Sequence, residues 1–262
     1  MRAASCETVV LGQQEVAENI MKMRVSWVDE EHAPHAGQFF MLRGWADDEA
    51  PFLSRPISLH SFDAQQESLE FLYQVKGEGT EKLSQLEEGD VIRVTGPMGN
   101  GFDVQALTAE YKKIAVVGGG IGTAPLYQLC RELAAAGTKP DLFCGFREEV
   151  YEMEPYRALC GLVKVSTDTG AVGFHGFVTD LFDAADYDVV LVCGPDIMMK
   201  NVAAKCAAAH TKCFVSLEKK MACGIGACLG CTCETKGGEG KSVCKNGPVF
   251  DAAEIYGGEV QA

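Results

Sequence analysis

Four cysteines in the C-terminal part of the chain have a spacing suited to iron–sulfur chemistry. Cys223, Cys228 and Cys231 form a C-x4-C-x2-C pattern, and Cys244 follows further along. This pattern is typical of [2Fe–2S] ligands, because four thiolates must converge on two irons from a tightly wrapped loop. Three neighbouring glycines allow such turns and let backbone N–H groups point at sulfur; they are Gly224, Gly226 and Gly230. The spacing therefore predicts a [2Fe–2S] cluster on these cysteines.

Two alternatives stay open at this level. Four thiolates can also hold a structural zinc ion, although zinc ribbons usually carry two C-x2-C pairs and only one is present here. Cys233 lies two residues after Cys231 and could replace it as a ligand. Otherwise Cys233 is a spare thiol beside the site.

A glycine-rich stretch, Val117–Pro125, joins an apolar run to a helical pattern. Glycines let a nucleotide pyrophosphate approach the backbone, and a following helix offers N–H groups to it. The spacing departs from G-x-G-x-x-G because position 123 is threonine, so an ordinary tight turn is the alternative. The candidate nucleotide-binding residues are Gly118, Gly119, Gly120, Gly122 and Thr123.

A second turn, Cys193-Gly194-Pro195, ends another apolar run. The carboxyl ends of parallel strands line the ligand crevice of an open sheet. Both turns are therefore predicted to face one dinucleotide.

A third set of candidate ligand-binding residues lies nearer the N-terminus, at 55–58 and 79–80. Arg55 can clamp a pyrophosphate through two hydrogen bonds, and Ser58 can hydrogen-bond a ring or a phosphate. Gly79 and Thr80 open a short helical pattern and form a second phosphate cradle. Each of these pieces is weak alone, because Arg-Pro also occurs at ordinary sheet edges and Gly-Glu-Gly-Thr in surface turns.

Three stretches must position these groups. Up to about residue 102, short strand-like runs separated by turn residues indicate an antiparallel barrel or sandwich; they are residues 37–43, 54–60, 69–75 and 90–95, with one helix at 80–86. From 103 to 216, apolar strands alternate with helices, which predicts a parallel sheet covered on both faces. Residues 217–262 are rich in glycine and cysteine and too few for a core of their own.

Composition limits the function. The chain has 262 residues, 47% apolar and 23% charged, with a net charge of −14. That balance is typical of a soluble globular protein, and the negative charge argues against binding to nucleic acids or anionic membranes. The first 18 residues contain no apolar signal segment. Twelve cysteines, five of them within 223–244, indicate a reducing cytosol and one local metal or redox site.

Four segments together resemble the ferredoxin-reductase superfamily, in which a flavin barrel precedes a nicotinamide-nucleotide domain. They are Arg55-Pro-Ile-Ser58, Gly77-Glu-Gly-Thr80, Gly118–Pro125 and Cys193-Gly-Pro195. The tail resembles a narrower family, the electron-transfer subunits of type B dihydroorotate dehydrogenases. The segments that carry this likeness are Leu217–Cys231 and Val243–Phe250.

The resemblance implies an α+β multidomain chain with an FAD barrel at 1–102, an NAD domain at 103–216 and a [2Fe–2S] segment at 217–262. It implies FAD contacts from Arg55, Pro56, Ile57, Ser58, Leu72, Tyr73, Gln74, Gly79 and Thr80. It also implies a separate FMN-containing catalytic subunit that oxidises dihydroorotate in pyrimidine synthesis, in a cytoplasmic heterotetramer with two copies of each chain.

The implied mechanism passes electrons from that FMN through the cluster and FAD to NAD⁺. FAD converts between one-electron and two-electron chemistry and is the reacting group, so no protein acid or base is needed. Arg147 could meet a 2′-phosphate, but Glu148 and Glu149 beside it favour NAD over NADP.

Two rival functions differ in partner or in class. One is an FAD and [2Fe–2S] reductase subunit of another complex, of the ferredoxin:NADP reductase, sulfide dehydrogenase or hydrogenase type. The other is a nucleotide-binding regulator with a structural zinc site and no turnover.

Overall fold

The computed structural model describes residues 4–29 and 31–257. The first residues of the predicted barrel range 1–102 and the last residues of the predicted cluster segment 217–262 lie outside the described residues. The first part is a seven-stranded antiparallel sheet in the order β4-β3-β7-β1-β2-β6-β5. It curls until β4 contacts β6, which confirms the predicted antiparallel barrel-like domain. Its strands are β1 (Ala4–Ala17), β2 (Ile20–Ser26), β3 (Phe39–Arg43), β4 (Arg55–Ser58), β5 (Ser61–Asp63), β6 (Ser68–Gln74) and β7 (Val91–Met98), with helix α1 (Glu78–Ser84) after β6.

The barrel closes around aromatic and branched side chains. Phe40 contacts Trp27 and Phe71 edge to face, with ring centroids 5.3 and 5.6 Å apart. Alternate residues of each strand point into this core, as a period of two requires.

The second part is a parallel sheet in the order β11-β10-β9-β8-β12-β13-β16, in which only β16 runs antiparallel to its neighbour. The central strands β8 and β12 are buried along their whole length, as expected for strands covered on both faces. The strands are β8 (Ile114–Gly119), β9 (Asp141–Phe146), β10 (Leu162–Thr167), β11 (Phe174–His175), β12 (Val189–Cys193), β13 (Lys212–Ser216) and β16 (Val249–Asp251).

Helices α2 (Val104–Glu110), α3 (Leu126–Ala135) and α4 (Asp196–Ala208) flank this sheet. In α3 the buried side chains recur with helical spacing, at Leu126, Leu129, Cys130 and Leu133. The scattered cysteines behave as small apolar residues, as predicted: Cys130, Cys144, Cys160, Cys206 and Cys213 are all buried in the sheet's two cores. In the part of the chain that the structure describes, no helix is long and apolar enough to cross a membrane.

The third part carries a small hairpin, β14 (Thr232–Glu234) and β15 (Gly240–Ser242), and helices α5 (Val243–Asn246) and α6 (Ala252–Ile255). Its strand β16 pairs with β13, so the segment beyond residue 216 completes the edge of the parallel sheet. Its apolar side chains join a core shared with that sheet, as a segment too short for its own core must.

His60 joins the barrel to the glycine-rich turn. Its Nδ1 lies 2.8 Å from the carbonyl oxygen of Ala124, so this nitrogen carries the proton and donates. The imidazole stacks on Tyr127 with centroids 4.9 Å apart, and Tyr156 donates its hydroxyl to the Thr123 carbonyl at 2.8 Å. Two buried rings thus hold two successive carbonyls of the turn.

His60 should make stability depend on pH. Burial lowers its pKa from 6.5 to about 4. The charges of Lys22 and Arg131 add to this effect, whereas the hydrogen bond to Ala124 and the charge of Glu152 oppose it. The unfolded chain therefore binds more protons between these values, and stability is lost as the pH falls through that window. We expect wild type to lose about 2 kcal/mol relative to His60→Gln between pH 7.5 and 5. Paired anaerobic unfolding measurements test this, and a constant difference would contradict the assignment.

Candidate cofactor sites

A cavity of about 850 Å³ opens where the three parts of the chain meet. The barrel supplies one wall, Ile121, Ala124 and Pro125 of the glycine-rich turn supply another, and the start of the C-terminal segment supplies a third. This volume is within the range of sites for large organic ligands. Seven of the nine residues predicted to contact FAD lie on the barrel wall; they are Arg55, Pro56, Ile57, Ser58, Leu72, Tyr73 and Gln74.

The remaining two predicted FAD residues have other surroundings. A β-carbon at Gly79 would lie 2.3 Å from Nε of Arg55, so this glycine makes room for the guanidinium. The hydroxyl of Thr80 accepts from the backbone N–H groups of Lys76 and Gly77 and donates to the Gly77 carbonyl at 2.8 Å. Thr80 therefore stabilises its own turn, and its contact with FAD stays a prediction.

The cavity fits a flavin dinucleotide in size, and its basic side chains suit the dinucleotide phosphates. Arg55 lies over the Trp45 ring at 5.8 Å and donates to the Leu53 carbonyl at 2.5 Å, which fixes its guanidinium at the cavity wall. Tyr73, on the same wall, donates its hydroxyl to Gln13 at 2.7 Å. Lysines complement a pyrophosphate; those lining the cavity are Lys76, Lys219 and Lys220.

Several cavity residues were not predicted from the sequence. The sequence pattern places Phe39 in a strand and Glu218 and Met221 in the tail, and it assigns none of them to a cavity. Burial raises the pKa of the Glu218 carboxyl, and the nearby Lys76 opposes that effect. The lysine pair beside the cysteine motif was the one available signal that this tail also faces an anionic ligand.

The two predicted nucleotide turns are in direct contact. A β-carbon at Gly122 would lie 2.5 Å from Cα of Gly194 and 2.7 Å from the Cys193 carbonyl oxygen. At Gly119 it would lie 2.5 Å from Sδ of Met198 and 2.9 Å from Cδ of Pro195. These glycines let the ends of β8 and β12 pack backbone against backbone.

Gly118 and Gly120 differ from that pair. A β-carbon at Gly118 would lie 2.8 Å from Cγ2 of Thr123, whose hydroxyl donates to the Gly120 carbonyl. Only Gly120, at φ +52°, faces open space among the four glycines. The side of Gly120 is thus open to a ligand, and the pyrophosphate contacts of all four glycines stay a prediction.

Each of the four predicted cluster sulfurs accepts a backbone N–H. Gly226 donates to Cys244 at 3.1 Å, and Cys228 donates to Cys223 at 3.4 Å. The N–H of Cys244 reaches Cys231 at 3.4 Å, and that of Gly230 reaches Cys228 at 3.5 Å. Such hydrogen bonds stabilise thiolates, so the donor set fits a [2Fe–2S] cluster.

Cys233 is different. It is buried, and its Sγ donates to the Lys241 carbonyl at 3.4 Å across the β14–β15 hairpin. The sulfur of Cys233 is thus held across the hairpin, whereas that of Cys231 accepts the N–H of Cys244. This geometry favours Cys231 over Cys233 as the ligand.

The four sulfurs form an outer pair and an inner pair. Cys228 is exposed and Cys223 is partly exposed, whereas Cys231 and Cys244 are buried. Backbone N–H groups, first that of Cys228, lower the pKa of Cys223 to about 6, while burial raises that of Cys244 to about 12. Iron binding would have to displace the proton of Cys244, as metal coordination to thiols does.

The described residues contain no group of three or more His, Cys, Asp or Glu side chains that could hold one metal ion. A [2Fe–2S] cluster differs from a single ion because two irons share its four thiolates.

Comparison with known proteins relates most of the chain to one group. Residues 218–256 match the iron–sulfur cluster binding domain of dihydroorotate dehydrogenase B. The electron transfer subunit of dihydroorotate dehydrogenase B (NAD(+)) from Clostridium acetobutylicum is 47% identical over 219 residues, 84% of this chain and 85% of that one. The subunit of the same name from Caldanaerobacter subterraneus subsp. tengcongensis is 41% identical over 251 residues, covering 94% and 96%.

Solved structures agree on the architecture. An NADH-dependent reduced ferredoxin–NADP oxidoreductase superposes with a TM-score of 0.83 at 27% identity, covering 95% of this chain and 89% of that one. Phthalate dioxygenase reductase superposes with a TM-score of 0.59 at 17% identity, covering 95% and 77%, and is similar in fold alone.

Proposed function

Because this chain belongs to the electron transfer subunits of dihydroorotate dehydrogenase B, we propose that it carries electrons from an FMN-containing catalytic subunit to NAD⁺. It is an oxidoreductase subunit that uses FAD, a [2Fe–2S] cluster and a nicotinamide nucleotide. We place it in a cytoplasmic heterotetramer with two copies of each subunit.

When bound, FAD exchanges one or two electrons and a [2Fe–2S] cluster exchanges one, which links cluster chemistry to hydride chemistry. Arg55 and the cavity lysines hold the dinucleotide phosphates, and the barrel wall orients the flavin. The turns at the ends of β8 and β12 place the nicotinamide nucleotide beside that cavity, because Ile121, Ala124 and Pro125 line it. The buried surroundings of Cys231 and Cys244 exclude water from the inner side of the cluster site.

The set of N–H donors aimed at Cys223, Cys228, Cys231 and Cys244 is the observation that carries this proposal. It fits a redox cluster next to a flavin-sized cavity, because donors to sulfur tune the potential of such a cluster. A structural zinc site on these thiolates would need no flavin-sized cavity beside it.

The proposed docking face is the rim of the cluster loop. Ile225 and Leu229 flank the exposed Cys228 and are themselves 61% and 65% exposed. Exposed apolar side chains around a redox group suit a protein partner that approaches within electron-transfer distance. The outer cysteine pair would then face the catalytic subunit.

NAD is the proposed nucleotide. Arg147 and Glu148 are exposed at the end of β9, and Asp168 joins them, because its N–H donates to the Arg147 carbonyl at 3.0 Å. Glu149 instead accepts from the backbone N–H of Glu18 at 3.1 Å, at the contact with the barrel. The carboxylates of Glu148 and Asp168 would repel a 2′-phosphate there.

Anaerobic affinity purification from the native host tests the proposal. We expect an FMN-containing flavoprotein to co-purify and the complex to form NADH from dihydroorotate and NAD⁺. Ile225→Asp should reduce the recovered complex by about tenfold or more, because an interface would bury its carboxylate. Val28→Asp is the control, since Val28 is 69% exposed and lies just after β2. Equal recovery with both variants would contradict the docking face.

A second candidate rests on the likeness to the ferredoxin–NADP oxidoreductase. In that case the co-purifying partner would be an iron–sulfur protein without FMN, and dihydroorotate would support no NADH formation.

A further inference from the structure

Asn100, two residues after β7, binds the turn that follows the cluster cysteine Cys244. Its side-chain amide donates to the carbonyls of Lys245 at 3.1 Å and Asn246 at 3.2 Å. Its backbone N–H donates to the Gly247 carbonyl at 2.7 Å. Three hydrogen bonds from one barrel residue therefore hold this turn.

The backbones around Asn100 are closely packed. A β-carbon at Gly99 would lie 2.6 Å from Cδ of Pro248 and 2.7 Å from the Gly247 carbonyl oxygen. On the other arm of the cluster loop, a β-carbon at Gly224 would lie 2.5 Å from Sδ of Met98. The end of β7 thus contacts the chain next to both Cys223 and Cys244.

This contact lies between the two cofactor sites. Pro248 and Phe39 line the flavin cavity, and Cys244 precedes Pro248 by four residues. Phe39 and Met98 share one apolar core with Cys244. A displacement of the turn would therefore change the separation between the cavity and the cluster.

We propose that Asn100 is a positioning residue for electron exchange between FAD and the [2Fe–2S] cluster, an assignment that rests on the proposed function. In that step one electron passes from a ferrous iron of the cluster to the flavin, and NADH as the electron donor drives the same exchange in reverse, with no bond to the protein formed or broken. The rate falls with the distance between the two groups. By fixing residues 245–248 against the barrel, the amide of Asn100 keeps that distance short.

Asn100→Ala and Asn100→Asp separate this role from simple packing. Alanine removes two hydrogen bonds, whereas aspartate keeps the side-chain shape and turns a negative oxygen toward two carbonyls. Amide hydrogen exchange over residues 243–248 of the holoprotein should become about tenfold faster in Asn100→Ala, because two neutral hydrogen bonds are lost. The acceleration should be greater in Asn100→Asp.

Stopped-flow measurements on the same anaerobic proteins give the second readout. Flavin reduction by NADH should stay at the wild-type rate, while the following cluster reduction slows in the order wild type, alanine, aspartate. Asn100→Gln should recover part of that rate, and Asn201→Ala, an exposed asparagine on α4, should match wild type in both phases.

Two results would overturn the assignment. One is unchanged exchange and unchanged cluster reduction in Asn100→Asp. The other is slowing of flavin reduction by the same factor as cluster reduction, since that indicates general damage. The chain carries its own FAD and cluster in this test, so failure to bind a catalytic subunit would bear on the proposed function alone.

Discussion

Cys244→Ala is expected to remove the [2Fe–2S] cluster and to stop NADH formation from dihydroorotate, while NADH still reduces FAD. Cys244 is buried and its sulfur accepts the Gly226 N–H at 3.1 Å, and alanine offers iron no ligand atom at this position. Removing a group that hydrogen-bonds to a metal ligand lowers metal affinity or activity by about 10–100-fold. Removing the ligand itself should therefore lower the activity of the complex by more than about 100-fold. Iron content and visible absorbance report whether the cluster is lost. NADH–ferricyanide activity reports whether NADH still reduces FAD.

Cys233→Ser is the matched control for that variant. Its hydroxyl can still donate to the Lys241 carbonyl, so the hairpin and the cluster should both survive. Loss of iron in Cys233→Ser together with retention in Cys231→Ala would reverse the ligand assignment.

Gly122→Ala is expected to reduce the rate of FAD reduction by NADH by about 100-fold, because an ångström of misplacement in a hydride transfer costs that much. The added methyl group would meet the backbone of Gly194 at 2.5–2.6 Å, and backbone cannot move aside as a side chain can. The two nucleotide turns must therefore separate. Overpacking of this kind also costs about 1–3 kcal/mol of stability.

Stopped-flow reduction of the anaerobic holoprotein measures this effect, with FAD and iron contents as checks on folding. Gly237→Ala is the control, since Gly237 is exposed and its added methyl group would meet nothing closer than 3.8 Å. Normal FAD reduction in Gly122→Ala would show that the contact between the turns does not position the nicotinamide.

Strong local patterns made much of the fold predictable. The apolar runs at 113–117 and 188–193 and the helical period at 125–136 predict β8, β12 and α3, whose observed ends lie within two residues of these bounds. The long hairpin of β1 and β2 was not predicted. Its pairing register shifts between Val10 and Gly12 and again between Glu15 and Ala17, and each shift interrupts the alternation that identifies a strand.

In the candidate sites, too, local patterns were predictable and contacts between distant parts of the chain were not. Cysteine spacing is a local property, and it led to the four sulfurs that receive N–H groups. The contact of Gly122 with Gly194 joins positions 72 residues apart, so no local pattern could assign it. The same holds for Asn100, whose partners lie about 145 residues further along.

The pairing of β16 with β13 has a consequence for biosynthesis. During translation, β13 emerges before the cysteine loop and β16 after it. The hydrogen-bonding edge of β13 therefore stays unpaired until the chain beyond Cys244 has been synthesised. An unpaired strand edge is a template for association with other chains. In a cell short of iron, the loop between the two strands would lack its cluster. The edge of β13 would then stay unpaired for longer before β16 joins it. Iron supply would then limit the yield of correctly folded nucleotide-binding domain as well as the electron-transfer capacity of the enzyme.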